Sequence, residues 1–420
     1  MIQTIDLLGG VTLRYFRDSR FKQNLLTLQL VCPMGQPENA MNALIPAVLL
    51  RGCRTAPDLR SITLRLDDLY GASVGALVRR AGDYQMTGLS CGFISDRYTL
   101  EWEHLLEPMV DFLRELLLEP VLEDGCFRTD YVESEKKNLI AAIEAQRHDK
   151  RAYAASQMIK NMCGSDPFGL PRLGEAEDVA AITPKSLYAH YKTLLSQSRV
   201  EFFYVGDRAP EEVAKLLTPL FRDVPRNYTP LLPQTALRPG ASGEHTETAD
   251  VAQGKLCMGF TTPITNRSPD FVPMQVCNVI LGAGMTSKLF MQIREKLSLC
   301  YDIGSGYYGS KGLLTVSAGI DWNKQAQVRQ EILRQLQACA AGEITPEELQ
   351  AAKESLSSGL RSTLDSPGAI ESYFFLGMLN GMDMTPAQHM EKINGVTAED
   401  VARAANTVQL HTQYLLKGED

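Results

Sequence analysis

The spacing of apolar residues predicts a mixture of strands and helices in both halves of the chain. Alternating apolar and polar side chains predict half-buried strands at residues 25–31, 84–93, 301–308 and 313–320. Apolar residues at three- and four-residue spacing predict helices at residues 58–70, 126–162, 325–340 and 346–364. Short strand pairs grouped between helices favour an α+β fold, in which helices cover a mostly antiparallel sheet.

A proline-rich stretch at residues 225–243 interrupts these patterns near the middle of the chain. It contains four prolines and two glycines and has little apolar periodicity. Such a segment continues neither a helix nor a central strand, so it is predicted to be a linker. We therefore expect one domain at residues 1–224 and a second at residues 244–420.

The two halves resemble each other, which predicts an internal duplication. A helical segment beginning at Glu135 has a counterpart beginning at Ala352, 217 residues later. A Thr that can cap a helix, Thr183, has its counterpart 214 residues later at Thr397. Because the two offsets are nearly constant, we expect two homologous halves with the same order of elements.

Composition and charge exclude several functional classes. The chain has 420 residues, a net charge of −8, 44% hydrophobic residues and no apolar run as long as a membrane span. An acidic chain of this kind is not expected to bind nucleic acid or anionic membranes. Its nine cysteines lack any C-x-x-C pair, and no secretory signal is evident at the start. These features predict a cytoplasmic globular protein.

Familiar catalytic motifs are missing from the sequence. The six histidines include no H-E-x-x-H, no H-x-x-E-H and no pair at helical spacing. Glu144 and His148 lie four residues apart on a predicted helix, but a solvated acid–base pair explains them more simply than half of a metal site. No glycine-rich nucleotide motif and no G-x-S-x-G elbow occurs.

The most informative segment is residues 281–301, with the sequence LGAGMTSKLFMQIREKLSLCY. Gly282 and Gly284 are expected to end one helix, and Thr286 or Ser287 to cap the next. Arg294 and Tyr301, seven residues apart, can supply donors to a carbonyl oxygen or a developing oxyanion. From spacing alone, an Arg paired with a surface carboxylate and a Tyr in a sheet are the favoured explanation of this pattern.

This segment resembles the C-terminal signature of the pitrilysin/insulinase (inverzincin) zinc metallopeptidases, in which a glycine-rich turn leads into R-E-x-x-x-L-x-Y. Arg294, Glu295, Leu299 and Tyr301 match that signature in order and spacing. The resemblance extends over the two halves, the linker and the Leu-Leu-Arg-Gly sequence at residues 49–52. It implies two homologous halves joined in a clam-shell, and zinc-dependent peptide hydrolysis in the family as a whole.

The chain departs from the family at the zinc ligands. The positions of H-x-x-E-H fall on Ala43, Pro46 and Ala47, and the position of the third ligand, counted from Glu135, falls on Ala142. Methyl groups and a proline ring neither bind zinc nor activate water. Pro46 is tolerated in a helix if Asn42 caps it, which would place Pro46 in the first turn. We therefore expect no metal on this chain and no hydrolysis by the chain alone.

The resemblance also implies a partner. Bacterial members of the family often form two-chain assemblies in which one chain keeps the zinc motif and the other keeps only Arg and Tyr. This chain matches the second type, so Arg294 and Tyr301 are expected to position substrate for a zinc-bearing homologous subunit. The expected peptide substrate lies extended against a sheet edge.

Two other hypotheses remain open from the sequence. The chain is alternatively a peptide-binding or assembly protein that uses the same chamber without hydrolysis. Separately, a homodimer is expected if the partner chain is absent. A third hypothesis, an autonomous peptidase with an unrecognised metal site, requires stoichiometric zinc in a homogeneous sample.

Overall fold

A computed structural model describes residues 2–419 and shows a mixed α/β protein with two antiparallel-rich sheets. The first sheet has six strands in the order β1-β2-β8-β3-β5-β4. Only the β2–β8 pair is parallel. Its strands are β1 (Ile2–Leu8), β2 (Val11–Arg17), β3 (Gln23–Pro33), β4 (Ser73–Ala81), β5 (Tyr84–Ile94) and β8 (Arg199–Gly206). A two-stranded hairpin lies apart from this sheet and is formed by β6 (Leu122–Glu123) and β7 (Cys126–Phe127).

The second sheet has five strands in the order β11-β12-β10-β13-β9. Its only parallel pair is β13–β9. The strands are β9 (Gly243–Thr248), β10 (Gly254–Thr261), β11 (Cys300–Tyr308), β12 (Leu313–Ile320) and β13 (Gln409–Lys417). The predicted strands at residues 25–31, 84–93, 301–308 and 313–320 therefore all exist.

The two sheets have the same topology apart from β1, which confirms two homologous halves. Read from the parallel pair, the order is β2-β8-β3-β5-β4 in the first sheet and β9-β13-β10-β12-β11 in the second. Each series begins with a parallel pair and continues antiparallel. Each repeat ends with a capped helix and a strand. In the first repeat Thr183 caps the helix that precedes β8, and in the second Thr397 caps the helix that precedes β13.

Fifteen α-helices and one π-helix accompany the sheets in the described part of the chain. Those of the first sequence half are α1 (Glu38–Leu49), α2 (Leu59–Asp68), α3 (Leu106–Leu118), α4 (Thr129–His148), α5 (Lys150–Cys163), α6 (Ala176–Ala181), α7 (Pro184–Gln197), α8 (Pro210–Leu217) and α9 (Pro219–Arg222). Those of the second are α10 (Phe271–Leu281), a π-helix (Phe290–Lys296), α11 (Gln325–Ala340), α12 (Pro346–Thr363), α13 (Pro367–Leu379), α14 (Pro386–Gly395) and α15 (Ala398–Ala405). Within residues 2–419, none of these helices is long and apolar enough to span a bilayer.

The single helix predicted at residues 126–162 is wrong in one respect, because the structure divides it into α4 and α5. Asp149 separates the two helices. Its side chain accepts hydrogen bonds from the backbone N–H groups of Arg151 and Ala152 and so begins a new helix. Apolar periodicity does not reveal such a break, because both helices have apolar faces.

The chain forms two compact units, and each includes a helical segment from the other sequence half. The first unit comprises the chain up to Glu144, Leu170–Leu232 and Asp365–Leu376. The second comprises Ala145–Gly169, Pro233–Leu364 and the chain from Gly377 onwards. The helix α5 thus belongs to the second unit, and most of α13 belongs to the first. The predicted boundaries at 1–224, 225–243 and 244–420 describe the sequence repeat and stay a prediction, as does the clam-shell.

In each unit, most helices cover one face of the sheet and the exchanged segment contacts the other. On β3, Leu26, Leu28 and Leu30 are buried in the helix-covered core of the first unit. On its opposite face, Glu371 of α13 accepts hydrogen bonds from Gln29 Nε2 at 2.7 Å and Arg79 Nη1 at 2.6 Å. In the second unit the exchanged helix packs with apolar groups instead. There, α5 contributes Ala154, Met158 and Met162 to a cluster with Cys257, Tyr414 and Leu416.

Candidate functional site

The segment that carries the Arg–Tyr pair begins with a tight connection after α10. The carbonyl oxygen of Gly282 accepts a hydrogen bond from the backbone N–H of Ser305 at 3.0 Å, so this turn lies against β11. A Cβ at residue 282 would come within 2.7 Å of Ser305 Oγ and 2.8 Å of Leu289, which explains the glycine. Of the two predicted caps, Ser287 is used, because the N–H of Phe290 donates to its Oγ at 3.4 Å.

The helix predicted after this turn is a π-helix rather than an α-helix. Leu289 and Ile293 are fully buried and anchor it to the core of the second unit. The N–H of Leu297 donates to the carbonyl oxygen of Gln292, five residues earlier, at 3.0 Å. Ser298 then adopts a left-handed φ of 51° and ends the helix. π-Helical turns are rare in proteins, but those that occur often lie at functional sites. The π-helix therefore supports Arg294 as a candidate functional residue.

Arg294 has no hydrogen-bond partner in the described part of the chain. Its Nη1 lies 3.7 Å from Glu295 Oε1, too far for a hydrogen bond, and its side chain is 41% exposed. The guanidinium carbon lies 4.6 Å from the centroid of the Phe290 ring, which is cation–π distance. All five N–H donors are thus available to a ligand, while the Phe290 ring restricts where the guanidinium lies.

Tyr301 occupies a β-bulge at the start of β11. Cys300 pairs with Ile320 and Asp302 pairs with Gly319, so Tyr301 has no partner residue on β12. A bulge bends the strand and redirects a side chain, and the Tyr301 side chain is indeed exposed. Burial raises the pKa of the neighbouring Cys300 thiol to about 11, and the positive charge of Arg294 opposes that rise. The positive charge of Arg294 therefore influences Cys300, the first residue of β11. That Arg294 and Tyr301 bind one ligand together stays a prediction.

The four positions that the family resemblance assigns to the zinc ligands and base lie on α1 and α4 of the first unit. Ala43 and Pro46 are buried, Ala47 is half-buried and Ala142 is exposed. None has a nitrogen, oxygen or sulfur atom in its side chain, so these residues do not fit a zinc ion. Across residues 2–419, no cluster of three or more His, Cys, Asp or Glu side chains is arranged to hold a metal.

The predicted role of Asn42 as a helix cap is wrong, and the structure shows how α1 tolerates Pro46 instead. The helix begins at Glu38, so Pro46 lies in its interior. A proline there cannot donate to the carbonyl oxygen four residues earlier, which belongs to Asn42. The hydroxyl of Thr87 on β5 donates to that oxygen at 2.6 Å and replaces the missing helical bond.

A buried polar network holds the side chain of Asn42. Its Nδ2 donates to Gln85 Oε1 at 2.9 Å and to Cys32 Sγ at 3.3 Å. Its Oδ1 accepts from His190 Nε2 at 2.7 Å, which requires the proton to be on that nitrogen. Burial lowers the pKa of His190 and raises the pKa of the Cys32 thiol to about 12. These groups stabilise one another as neutral species, and none is positioned as a base or nucleophile.

Sequence reasoning missed Phe290 and this amide network. Phe290 precedes Arg294 by four residues, a spacing at which helical side chains meet, so a signal was present. The Asn42 network joins strands, α1 and α7, and no local spacing in the sequence indicates it.

Comparisons with known proteins place these features in a family. Residues 181–356 match the sequence profile of the "Peptidase M16 inactive domain". The chain is 30% identical over 412 residues to the "Probable inactive metalloprotease YmfF" of Bacillus subtilis, covering 98% of this chain and 97% of that protein. This chain therefore belongs to the pitrilysin/insulinase, or M16, peptidase family, as an inactive homologue.

Solved structures agree with this assignment. A conserved protein from Enterococcus faecalis is 28% identical and superposes with a TM-score of 0.92, covering 100% of this chain and 99% of that one. A peptidase M16 inactive domain from Pseudomonas fluorescens has a TM-score of 0.80 at 19% identity, with 100% and 98% coverage, and shows the shared fold. The matched profile is that of an inactive domain, and the side chains at positions 43, 46, 47 and 142 contain no donor atoms. Both observations fit a chain that binds no zinc of its own.

Proposed function

We propose that this chain is the substrate-positioning subunit of a two-chain zinc peptidase whose partner is a zinc-bearing homologous chain. The observation that carries the proposal is the contrast between its two candidate sites. The zinc positions hold no donor atoms, whereas Arg294 presents five donors that make no hydrogen bond within residues 2–419, and Tyr301 is exposed on the strand that follows. The contact of Arg294 with Glu295 Oε1 is 3.7 Å long, so its donors, like the bulged Tyr301, are open to a ligand.

In this proposal the residues of the chain bind and orient the peptide. The Arg294 guanidinium donates to a peptide carbonyl oxygen, and the Tyr301 hydroxyl donates to the same carbonyl or the next one. Donors fixed before the substrate arrives stabilise negative charge that develops on a carbonyl oxygen, and they need no reorganisation.

The peptide lies extended at the Tyr301 end of β11, which is an edge strand of the second sheet. The middle of this edge is already occupied, because the N–H of Ser305 donates to Gly282 O. The end at Tyr301, where β11 follows the π-helix that carries Arg294, therefore offers the peptide backbone its place of attachment.

Reconstituted hydrolysis tests the proposal. The purified chain is mixed with the homologous H-x-x-E-H chain from the same genome, and cleavage of a quenched fluorogenic peptide is followed. We expect hydrolysis by the mixture, and a fall in kcat/KM of about 10²- to 10³-fold with Arg294→Ala, the size typical for loss of one oxyanion donor. Tyr301→Phe is expected to lower the rate in the same direction.

Two variants in the same unit serve as controls. Arg329 resembles Arg294 in exposure, at 38%, and in its 3.7 Å distance from a carboxylate oxygen, that of Glu244. Tyr308 is the exposed tyrosine at the other end of β11. Arg329→Ala and Tyr308→Phe should leave the rate unchanged. Equal rates for wild type, Arg294→Ala and Tyr301→Phe would refute the assigned roles. Saturable peptide binding with no hydrolysis by any pair would favour the non-hydrolytic peptide-binding protein instead.

A further inference from the structure

The outer edge of β9 is open in the second sheet, whereas the equivalent edge of the first sheet is covered. In the first sheet β1 pairs with β2 and occupies its outer side. The strand β9 corresponds to β2, but within residues 2–419 it pairs only with β13 and ends the sheet. The second sheet therefore lacks a counterpart of β1, and a row of backbone groups is left for another strand to bind.

Three residues of β9 direct their backbone groups to this open edge. The N–H of Ala249, just after the strand, donates to the carbonyl oxygen of Lys417 on β13 at 2.9 Å. Backbone groups of successive residues in a strand point to opposite sides, so those of the odd-numbered residues point towards β13. The N–H and C=O groups of Glu244, Thr246 and Thr248 therefore point outwards, and no strand in the described part of the chain lies beside them.

The strand β9 has few of the features that keep an edge strand from pairing. It contains no proline and no lysine, and its register with β13 has no bulge. Its two carboxylates are engaged within the second unit. Glu247 accepts hydrogen bonds from the hydroxyl groups of Tyr153 and Tyr414, and Glu244 lies 3.7 Å from Arg329. Another strand can therefore approach this edge without meeting an unbalanced charge.

We propose that the outer edge of β9 binds the same edge of a second copy of this chain, antiparallel and centred on Thr246. In this register the two Thr246 residues exchange a pair of backbone hydrogen bonds. Glu244 of each copy exchanges another pair with Thr248 of the other copy. Residues 245 and 247 then form the non-hydrogen-bonded pairs, in which side chains approach most closely. His245 lies opposite Glu247 of the other copy and donates a hydrogen bond to its carboxylate.

The side chains of β9 favour this register and this partner. His245 and Glu247 lie on one face of the strand, two residues apart, so pairing centred on Thr246 sets each opposite the other. Centring the pair on residue 245 would set His245 against itself, and centring it on residue 247 would set Glu247 against itself, which is repulsive. A strand of unrelated sequence would gain the backbone hydrogen bonds but not the two His–Glu contacts.

The expected dimer is weak and does not depend on the proposed function. Each copy carries a net charge of −8, and a pair of six-residue strands is smaller than a standard interface of roughly 800 Å² per partner. We therefore expect a Kd in the micromolar rather than the nanomolar range. Because β9 and β11 are opposite edges of the second sheet, this pairing leaves the Tyr301 end of β11 open.

Sedimentation velocity of the full-length chain at about 1–100 µM tests the inference, and we expect a reversible monomer–dimer equilibrium. Thr246→Pro removes an outward N–H that the monomer does not use, and edge strands tolerate proline at such positions. This variant should stay folded by circular dichroism and raise the Kd at least ~10-fold. Thr246→Val keeps the N–H and is the matched control, so its Kd should stay close to that of wild type.

Disulfide cross-linking tests the register. Facing Cα atoms of a hydrogen-bonded antiparallel pair are about 5.5 Å apart, within the range that a disulfide spans. With oxidised glutathione, Thr246→Cys should therefore form a covalent dimer. Thr248→Cys is the control on the same edge, because the two Thr248 residues would lie roughly 14 Å apart. Neither Thr248→Cys nor wild type, with its nine native cysteines, should be cross-linked.

Three outcomes overturn the inference. The first is a monomer at every concentration, which would show that the edge stays unpaired or serves another strand. The second is an equal Kd for wild type and folded Thr246→Pro, which would place the dimer contact elsewhere. The third is equal cross-linking of Thr246→Cys and Thr248→Cys, which would exclude the register centred on Thr246.

Discussion

Asp166 and Lys311 form a fully buried ion pair in the second unit, with Lys311 Nζ 3.1 Å from Asp166 Oδ1. The carboxylate also accepts hydrogen bonds from the backbone N–H groups of Phe168 and Arg238. Asp166 follows the exchanged helix α5, and Arg238 lies in the segment before β9. One pair of side chains therefore ties together three parts of the chain that are distant in sequence.

Replacing Lys311 with Met should strongly destabilise the second unit, because Asp166 would stay buried without its ammonium partner. Breaking a buried pair typically costs ~3–5 kcal/mol, to be measured here as a lower free energy of unfolding in urea. Lys324→Met, at an exposed lysine, is the control and should change that free energy by less than about 0.5 kcal/mol. A change of similar size in both variants would contradict this reading of the pair.

His389 on α14 predicts a pH dependence of stability. Burial, together with the positive charge of Lys392, lowers its pKa to about 4. Its Nε2 lies 2.6 Å from Gln275 Oε1. An unfolded histidine has a pKa near 6.5, so between about pH 6.5 and pH 4 the unfolded chain binds a proton that the folded chain does not.

The contribution of His389 to stability is therefore fully present above about pH 6.5 and is lost as the pH falls towards 4. Between pH 7 and pH 4, wild type should lose roughly 3 kcal/mol more unfolding free energy than His389→Gln. Urea unfolding of both proteins across this range measures the difference. Parallel pH profiles for the two proteins would show that the histidine titrates normally in the folded state.

At the scale of single elements, α1 shows how a helix with an internal proline is stabilised. Pro46 removes one helical hydrogen bond, and the Thr87 hydroxyl supplies the donor that Asn42 O lacks. This bond links the helix to β5 and makes the proline and the threonine mutually dependent.

Thr87→Val should cost about 1–3 kcal/mol of unfolding free energy, because a buried carbonyl oxygen loses its donor. In a Pro46→Ala background the backbone N–H of residue 46 can satisfy Asn42 O, so the same change should cost less by at least ~0.5 kcal/mol. The double-mutant cycle is its own control. Additive effects of the two substitutions would rule out the compensation.

Elements with a regular pattern were predictable, whereas irregular ones were not. The alternation at 313–320 and the helical spacing at 325–340 coincide with β12 and α11, because one buried face determines each pattern. The break at Asp149, the π-helix at Phe290–Lys296 and the bulge at Tyr301 depend on single backbone hydrogen bonds and on neighbouring strands. Local sequence contains no clear signal for such contacts, and two of these three irregularities lie in the candidate site.

At the scale of the whole molecule, the sequence predicted the duplication, but not the exchange of α5 and α13 between the units. Constant offsets between the halves show which segments correspond, and both exchanged helices occupy the same place in their repeats. Which sheet each helix covers is decided by side chains far away in sequence. Glu371 reaches Gln29 and Arg79, while Met158 and Met162 pack against Gly259.

In the proposed function, this peptidase-family chain positions peptides and a zinc-bearing partner chain hydrolyses them. The most direct measurement determines zinc content and peptide hydrolysis on one homogeneous preparation, first alone and then mixed with the homologous H-x-x-E-H chain. We expect no stoichiometric zinc and no cleavage by the chain alone, followed by cleavage that saturates at a one-to-one ratio of the two chains. One tightly bound zinc per chain, or cleavage by the chain alone, would contradict the account.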